Sequence, residues 1–184
     1  MCKAAAKANL VLGQLTRGCT WRDPDNLTNL YKVYVRPHLE YAQASWSPWT
    51  QADIQTLEQV QRRFTRQVSG IGSLPYEERL DRLGLTTLQA RRERGDIIET
   101  YKIITGKVDV QPSTWFSPLE PREGAASTRA YSAHLSLART EAKSEMRKNQ
   151  FAVRVVPKWN ALPDSVKSQD TLNNFKNAYD NLQY

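Results

Sequence analysis

The side chains in this sequence best suited to chemistry are closely spaced arginines, and the chemistry that they favour is binding to phosphate. Arg62, Arg63 and Arg66 lie on the side of a predicted helix opposite its apolar residues. At this spacing, guanidinium groups can follow the phosphates of a nucleic-acid backbone. A charged ridge of this kind is also commonly a solvated helix face. The sequence alone leaves both interpretations open.

A second cationic surface is predicted on the next long helix along the chain. Basic clusters therefore recur along one helical array, and this recurrence favours a nucleic-acid role more than any single cluster does. The candidate nucleic-acid-binding residues on the two helices are Arg62, Arg63, Arg66, Arg91, Arg92 and Lys102. Further basic residues, among them Lys3 and Lys7, charge the N-terminal segment.

Motifs for catalysis or for metal binding are missing from the sequence. Two-metal phosphoryl transfer requires carboxylates that converge within about 4 Å of both ions, and no two aspartates are adjacent or lie at a predicted hairpin tip. Neither a G-x-x-x-x-G-K phosphate loop nor a G-x-S-x-G elbow occurs. The two cysteines and the two histidines lack the paired spacing of a zinc site. We therefore expect no catalytic residue, no metal site and no cofactor.

The composition is that of a basic globular protein. Lys and Arg number 26 against 19 Asp and Glu, which gives a net charge of +7 and an isoelectric point near 9.5. This balance favours a polyanionic partner, most often nucleic acid. No apolar run approaches the roughly 20 residues that cross a bilayer, and no apolar signal-type stretch follows Met1. We expect a nuclear or cytoplasmic protein that is neither secreted nor bound to a membrane.

Apolar residues recur at helical spacing through most of residues 1–106. The spacing predicts a helix over residues 3–17, and Asp23 followed by Pro24 has the pattern of an N-cap with proline in the first turn. Pro37 interrupts the pattern that follows. Its ring would clash with the carbonyl of Val33 in a regular helix, so we expect a kink or a fresh helix start there.

The clearest helical pattern covers residues 53–69. Its apolar seam consists of Ile54, Leu57, Val60, Phe64 and Val68. A short helix is predicted over residues 75–83 and ends at Gly84. Another helix is predicted to begin after Thr86 and to run to Thr105-Gly106. Arg94 projects onto the apolar face of that last helix. An unpaired guanidinium there would be costly, which predicts a buried or half-buried ion pair or a carbonyl-capping role.

The pattern changes after residue 106. Residues 107–127 lose their periodicity and accumulate prolines, which predicts a linker or an irregular loop. Alternation over residues 131–137 predicts a strand, residues 146–159 suit a helix or a strand, and Asp170 is the predicted cap of a last helix. That helix would turn inward Leu172, Phe175, Tyr179 and Leu182. The expected fold is mainly α: a helical bundle over residues 1–106, a connector over 107–127 and a small α+β appendage over 128–184.

An ordered series of segments resembles the region that follows the palm in jockey-like, LINE-type reverse transcriptases of non-LTR retrotransposons. The resemblance covers most of the chain, from about Lys7 onward. The segments are LYKVYVRPHLEY at 30–41, WSP at 46–48, LEQVQRRFTR at 57–66, YEERL at 76–80, RRERGD at 91–96, YKI at 101–103, RKN at 147–149 and WNALP at 159–163. Departures from the family pattern occur at Ala42-Gln43-Ala44 and at Ala130, and they concern local turns.

The resemblance implies a thumb that grips template–primer duplex, followed by an extension of less defined role. In that family the paired catalytic aspartates lie upstream of this region, so the resemblance implies a non-catalytic fragment of an RNA-directed DNA polymerase. Its partners would be an RNA–DNA or DNA duplex, contacted independently of sequence, and an upstream palm domain where one is present. The alternative is a free-standing helical remnant or a protein-interaction module without a nucleic-acid role.

Overall fold

The computed structural model describes residues 2–19, 23–118 and 136–182. Within these ranges the chain is mainly α-helical and no β-strand forms. The chain divides into two compact units, Met1–Glu93 and Arg94–Tyr184. This division falls at residue 93/94, inside a long helix, whereas the periodicity predicted a boundary after residue 106. No helix among the described residues is long and apolar enough to cross a membrane.

Most helices of the first unit begin and end close to where the sequence predicts them, whereas the short helix Gln43–Trp46 was not predicted. The helices of this unit are α1 (Cys2–Gly18), α2 (Pro24–Leu30), α3 (Arg36–Glu40), α4 (Gln43–Trp46), α5 (Gln51–Gln67), α6 (Tyr76–Arg82) and the first part of α7 (Leu88–Ile104). The carboxylate of Asp23 accepts a hydrogen bond from the N–H of Asn26 at 3.1 Å, so the predicted N-cap of α2 is confirmed.

A π-helical turn, Tyr31–Val35, joins α2 to α3 at the place where a kink or a fresh start was predicted. The backbone N–H of Arg36 donates to the carbonyl of Tyr31, five residues earlier, instead of four. Pro37 follows directly in the first turn of α3. The wider turn accommodates a proline ring that a regular α-helix would bring against the carbonyl of Val33. A local change from α-helix to π-helix therefore accommodates the proline.

The core of the first unit lies between α1, α5 and the helical stretch from α2 to α3. Tyr31 stacks on Phe64 with ring centroids 4.1 Å apart and planes 9° from parallel. Ala8 and Leu12 of α1 and Leu39 of α3 are fully buried in the same core. Each large apolar side chain contributes about 1.5–3 kcal/mol by leaving water. These contacts hold α5 with its apolar face toward the core of the first unit.

Among its described residues, the second unit contains the rest of α7 and five shorter helices. They are α8 (Pro112–Trp115), α9 (Glu145–Lys148), α10 (Phe151–Asn160), α11 (Asp164–Lys167) and α12 (Leu172–Asp180). Residues 146–159 therefore fall in two helices separated by Asn149 and Gln150, which favours the helical alternative of the two that the sequence left open. The predicted strand at 131–137 lies largely outside the described residues. Of its described residues, Leu137 forms an isolated antiparallel bridge with Pro118.

The last helix differs from its prediction in two details. Thr171, and not Asp170, is the N-cap of α12, because the Thr171 hydroxyl accepts a hydrogen bond from the N–H of Asn174 at 3.1 Å. Phe175 and Tyr179 are buried as predicted, whereas the side chain of Leu182, beyond the end of the helix, is 47% exposed.

The second unit has its own aromatic core, and two of its ion pairs join distant parts of the chain. Tyr101 stacks on Phe175 with centroids 4.1 Å apart. Arg154 pairs with Asp96 through two hydrogen bonds of 2.9 and 3.0 Å. Arg94 forms a bidentate pair with Asp180, at 2.6 and 2.7 Å. The Arg94 side chain is 35% exposed, so the predicted half-buried ion pair is confirmed.

Candidate nucleic-acid interface

Helix α5 presents Arg62, Arg63 and Arg66 to solvent. The helix begins at a cap in which the Thr50 hydroxyl accepts from the N–H of Asp53 at 3.2 Å. The predicted apolar seam is confirmed: Leu57, Val60, Phe64 and Val68 are buried, and Ile54 is half-buried. Because this seam faces the core, the three arginines point away from it, as the sequence predicted.

A second face of α5 is also buried, and it is polar. Glu58, Gln61 and Thr65 are 8%, 0% and 0% exposed. Two buried faces leave the central and C-terminal turns of α5 only a narrow exposed stripe. Its members are Gln55, Gln59, Arg62, Arg63 and Arg66. In α5, which the structure describes from end to end, no exposed position carries a carboxylate. We call these five residues the basic stripe.

Gln61 anchors the polar face of α5 through hydrogen bonds to three different segments. Its Oε1 accepts from the Tyr31 hydroxyl at 2.8 Å. Its Nε2 donates to the Tyr76 hydroxyl and to the carbonyl of Thr86, each at 3.0 Å. A buried amide must satisfy both its donor and its acceptor, and Gln61 does so. The rotation of α5 about its axis is therefore fixed by hydrogen bonds as well as by apolar packing.

Glu58 ties α5 to the start of α7. One carboxylate oxygen accepts from the backbone N–H of Leu88 at 3.0 Å, and the other accepts from the Tyr76 hydroxyl. The first N–H groups of a helix lack intrahelical partners and carry partial positive charge. Glu58 thus supplies both a hydrogen-bond acceptor and a favourable charge. Burial, and then the hydrogen bond to Glu58, raise the pKa of Tyr76 above its usual value.

Arg62 lies on an aromatic surface within the first unit. Its guanidinium carbon is 3.9 Å from the centroid of the Tyr76 ring, a distance at which the cation and the ring attract each other. An open cleft of about 380 Å³ lies beside it, lined among others by Gln55, Gln59 and Gln89. Side-chain amides of this kind donate hydrogen bonds to phosphate and sugar oxygens.

The other three candidate residues do not join the basic stripe. Arg91 is engaged by Glu40, through a contact at its Nε and a 3.2 Å hydrogen bond from Nη2. Arg92 is only 3% exposed, which corrects its assignment as a surface phosphate ligand. Lys102 belongs to the second unit, where its Nζ pairs with Glu99 at 2.9 Å. Adjacent positions on one helix thus differ in environment in ways that charge alone does not reveal.

Arg79 belongs to the site but was missed from the sequence. It lies on α6, is 2% exposed, and donates from Nη1 to the backbone carbonyl of Arg62 at 3.2 Å. A signal was present: Tyr76, Leu80 and Leu83 define the apolar face of the short helix, and Arg79 falls on that face. The same test of periodicity singled out Arg94.

Comparison with known protein families, with curated proteins and with solved structures found no match for this chain. Within residues 2–19, 23–118 and 136–182, no group of three or more His, Cys, Asp or Glu side chains is arranged to hold a metal ion.

Proposed function

We propose that the chain binds a nucleic-acid duplex through the basic stripe, independently of base sequence, as the thumb-like part of a retrotransposon reverse transcriptase. The duplex is RNA–DNA or DNA, and the catalytic chemistry belongs to an upstream palm domain. The resemblance described above supports the parentage. The net charge of +7 supports a polyanionic partner.

The main support for this function is the set of residue types at the exposed positions of α5. Three guanidinium groups and two amides occupy the basic stripe, and all five can donate hydrogen bonds to phosphate oxygens. Surface faces that are merely solvated commonly mix both signs of charge. A row of donors without a carboxylate suits a phosphate backbone.

The proposal is tested by a salt titration of duplex affinity. Each neutralised phosphate releases condensed counterions, so log K falls with log salt at a slope of about −0.9 per contact on B-form DNA. The variant with Arg63→Glu and Arg66→Glu should flatten this slope by about two units and weaken binding to every duplex sequence alike. Arg62 is left unchanged because its stacking on Tyr76 also has a structural role.

A matched control separates local contact from net charge. Lys3→Glu with Lys7→Glu changes the net charge by the same amount on α1, where both lysines are exposed. Its slope should stay within about one unit of the wild-type slope. Melting curves show whether each variant remains folded. If the variant with Arg63→Glu and Arg66→Glu is folded and its log K falls with log salt at the wild-type slope, the basic stripe is not the binding surface.

A protein-interaction role is the second candidate, and an exposed apolar surface favours it. Val33, Tyr34 and Tyr41, along the helical stretch from the π-helical turn to the end of α3, are 61%, 54% and 81% exposed. Substituting Val33 and Tyr34 by serine should leave duplex affinity unchanged if the basic stripe binds duplex. A wild-type chain without affinity for any duplex at low salt would favour this second candidate over the first.

A further inference from the structure

We infer that Arg62, Arg66 and Arg79 form a discrete binding site for a single phosphate group, built around a guanidinium that is buried beside the basic stripe. The inference rests on the proposed function for its natural ligand, a backbone phosphate. The chemistry recognised is a tetrahedral oxyanion, and free inorganic phosphate shares it. We call these three residues the arginine cluster.

Arg79 is a buried charge whose hydrogen-bonding capacity is only partly used. Its Nη1 donates to the carbonyl of Arg62, and among the described residues its Nε has no hydrogen-bond partner. Its guanidinium carbon is 5.5 Å from the centroid of the Tyr76 ring, on which Arg62 also lies. A guanidinium has five N–H donors. Burying it without an anion costs free energy that a bound anion would recover.

The charges around Arg79 add to this cost. Burial, and next the positive charge of Arg66, hold the pKa of Arg79 below its usual value. Arg62 acts in the same direction, whereas Tyr76 and the more weakly felt Glu77 oppose it. Three guanidinium groups therefore repel one another. An oxyanion placed among them would replace this repulsion by charge-assisted hydrogen bonds, which are stronger than neutral ones.

The loop between α5 and α6 holds these arginines together. A Cβ atom on Gly72 would lie 2.6 Å from the backbone oxygen of Arg66, closer than such atoms approach one another. Only glycine lets this loop lie against the last turns of α5 without a shift. The loop leads directly into α6, which carries Arg79. The close approach of the two backbones is thus what brings a buried arginine of one helix beside exposed arginines of the other.

The inference is tested with inorganic phosphate by thermal melting at matched ionic strength against chloride. Binding to the folded state raises the melting temperature by mass action, by about 2–4 °C when phosphate exceeds its dissociation constant several-fold. Arg66→Gln should lose most of this rise. Arg63→Gln, at another exposed arginine of the same helix outside the cluster, should keep it. Phosphate also stabilises proteins generally, so the difference between the two variants is the measure.

A third variant tests the buried member directly. Arg79→Met keeps an unbranched side chain about as long as the stem of arginine and removes the guanidinium, and it should abolish the phosphate-specific rise whatever its melting temperature in chloride. If Arg79→Met does not fold, the comparison of Arg66→Gln with Arg63→Gln decides alone. Equal phosphate responses in those two variants would overturn the inference.

The two measurements separate a discrete phosphate site from the binding of duplex. Duplex binding with a steep salt slope, but without a phosphate response that depends on Arg66, would leave the basic stripe as a diffuse electrostatic surface without a discrete site. A phosphate response that depends on Arg66 in a chain without duplex affinity would identify free phosphate or a phosphorylated small molecule as the source of the anion.

Discussion

The carboxylate of Glu58, in the middle of α5, accepts a hydrogen bond from the backbone N–H of Leu88, 30 residues later, at 3.0 Å. Leu88 is the first residue of α7. A side chain of one helix thus supplies the acceptor that the first turn of another helix needs. Thr87, directly before α7, supplies a second: its hydroxyl accepts from the N–H of Ala90 at 3.1 Å.

We predict that Glu58→Ala lowers the free energy of unfolding by about 2–3 kcal/mol, because it removes a charged acceptor from buried donors. Glu58→Gln keeps an acceptor of the same shape and should cost about 1 kcal/mol less than Glu58→Ala does. Urea denaturation measures both. Gln59→Ala, an exposed substitution one residue along α5, should change stability by less than about 0.5 kcal/mol. A loss from Glu58→Ala as small as that from Gln59→Ala would contradict the capping role.

Stability at high pH should depend on Tyr31. Burial, and then the phenol of Tyr76, raise the pKa of Tyr31. The folded protein therefore keeps a proton that the unfolded chain releases above a pH of about 10. Below that pH, the buried Tyr31 hydroxyl makes its full contribution to the stability of the folded protein. Above it, the free energy of unfolding falls by up to about 1.4 kcal/mol per pH unit.

Tyr31→Phe should make this decline shallower, because the titrating hydroxyl is removed while the ring stacked on Phe64 is retained. The measurement is urea denaturation at several pH values between neutral and strongly alkaline. Tyr41→Phe is the control, since the Tyr41 side chain is 81% exposed. An alkaline decline that is equally steep in Tyr31→Phe and in the wild type would rule out this linkage.

The Arg94–Asp180 and Arg154–Asp96 ion pairs of the second unit should differ in strength because they differ in burial. The Arg94–Asp180 side chains are 35% and 41% exposed, against 18% and 10% for Arg154–Asp96. Solvent screens the first pair, so Arg94→Ala should cost about 1 kcal/mol or less. Arg154→Ala removes two charge-assisted hydrogen bonds from a buried carboxylate and should cost about 3 kcal/mol or more. Denaturant titrations of both variants test the ranking, and the reverse order would contradict it.

The purified chain should not extend a primer. We expect no incorporation when it is incubated with primer–template, nucleotides and Mg²⁺, because the sequence contains no adjacent aspartates that could converge on two metal ions. A mock preparation sets the background. Extension above that background, lost when any one aspartate is changed to asparagine, would show that the chain carries its own active site.

The helices were largely predictable from the sequence because local signals specify them. The seam of α5 follows from its periodicity alone. Gly70, Gly84 and Gly106 all have positive φ angles, of 79°, 55° and 66°, and each follows closely after the end of a predicted helix. Glycine adopts this conformation without the strain that a Cβ causes. Signals within a few residues of one another therefore set where these helices stop.

The environment of individual polar residues was not predictable in the same way. Glu58 and Gln61 are buried because Tyr31, Tyr76 and the start of α7 meet them from distant parts of the chain. Helical periodicity cannot reveal such partners, because it separates polar from apolar positions within one segment and contains no information about contacts with distant segments. For the same reason Arg91 and Arg92 looked equivalent as candidate phosphate ligands, although Glu40 engages the first and the second is buried.

The stacking of Arg62 on Tyr76 has a consequence for the kinetics of the proposed association with a polyanion. A long cationic side chain normally surrenders up to about 2 kcal/mol of rotamer entropy when it is immobilised. Arg62 has already lost part of that freedom in the unbound protein, whereas Arg63 and Arg66 project into solvent. In the proposed complex, the first contact with a polyanion would therefore form at the preorganised Arg62, and the exposed Arg63 would adapt to the phosphate spacing afterwards.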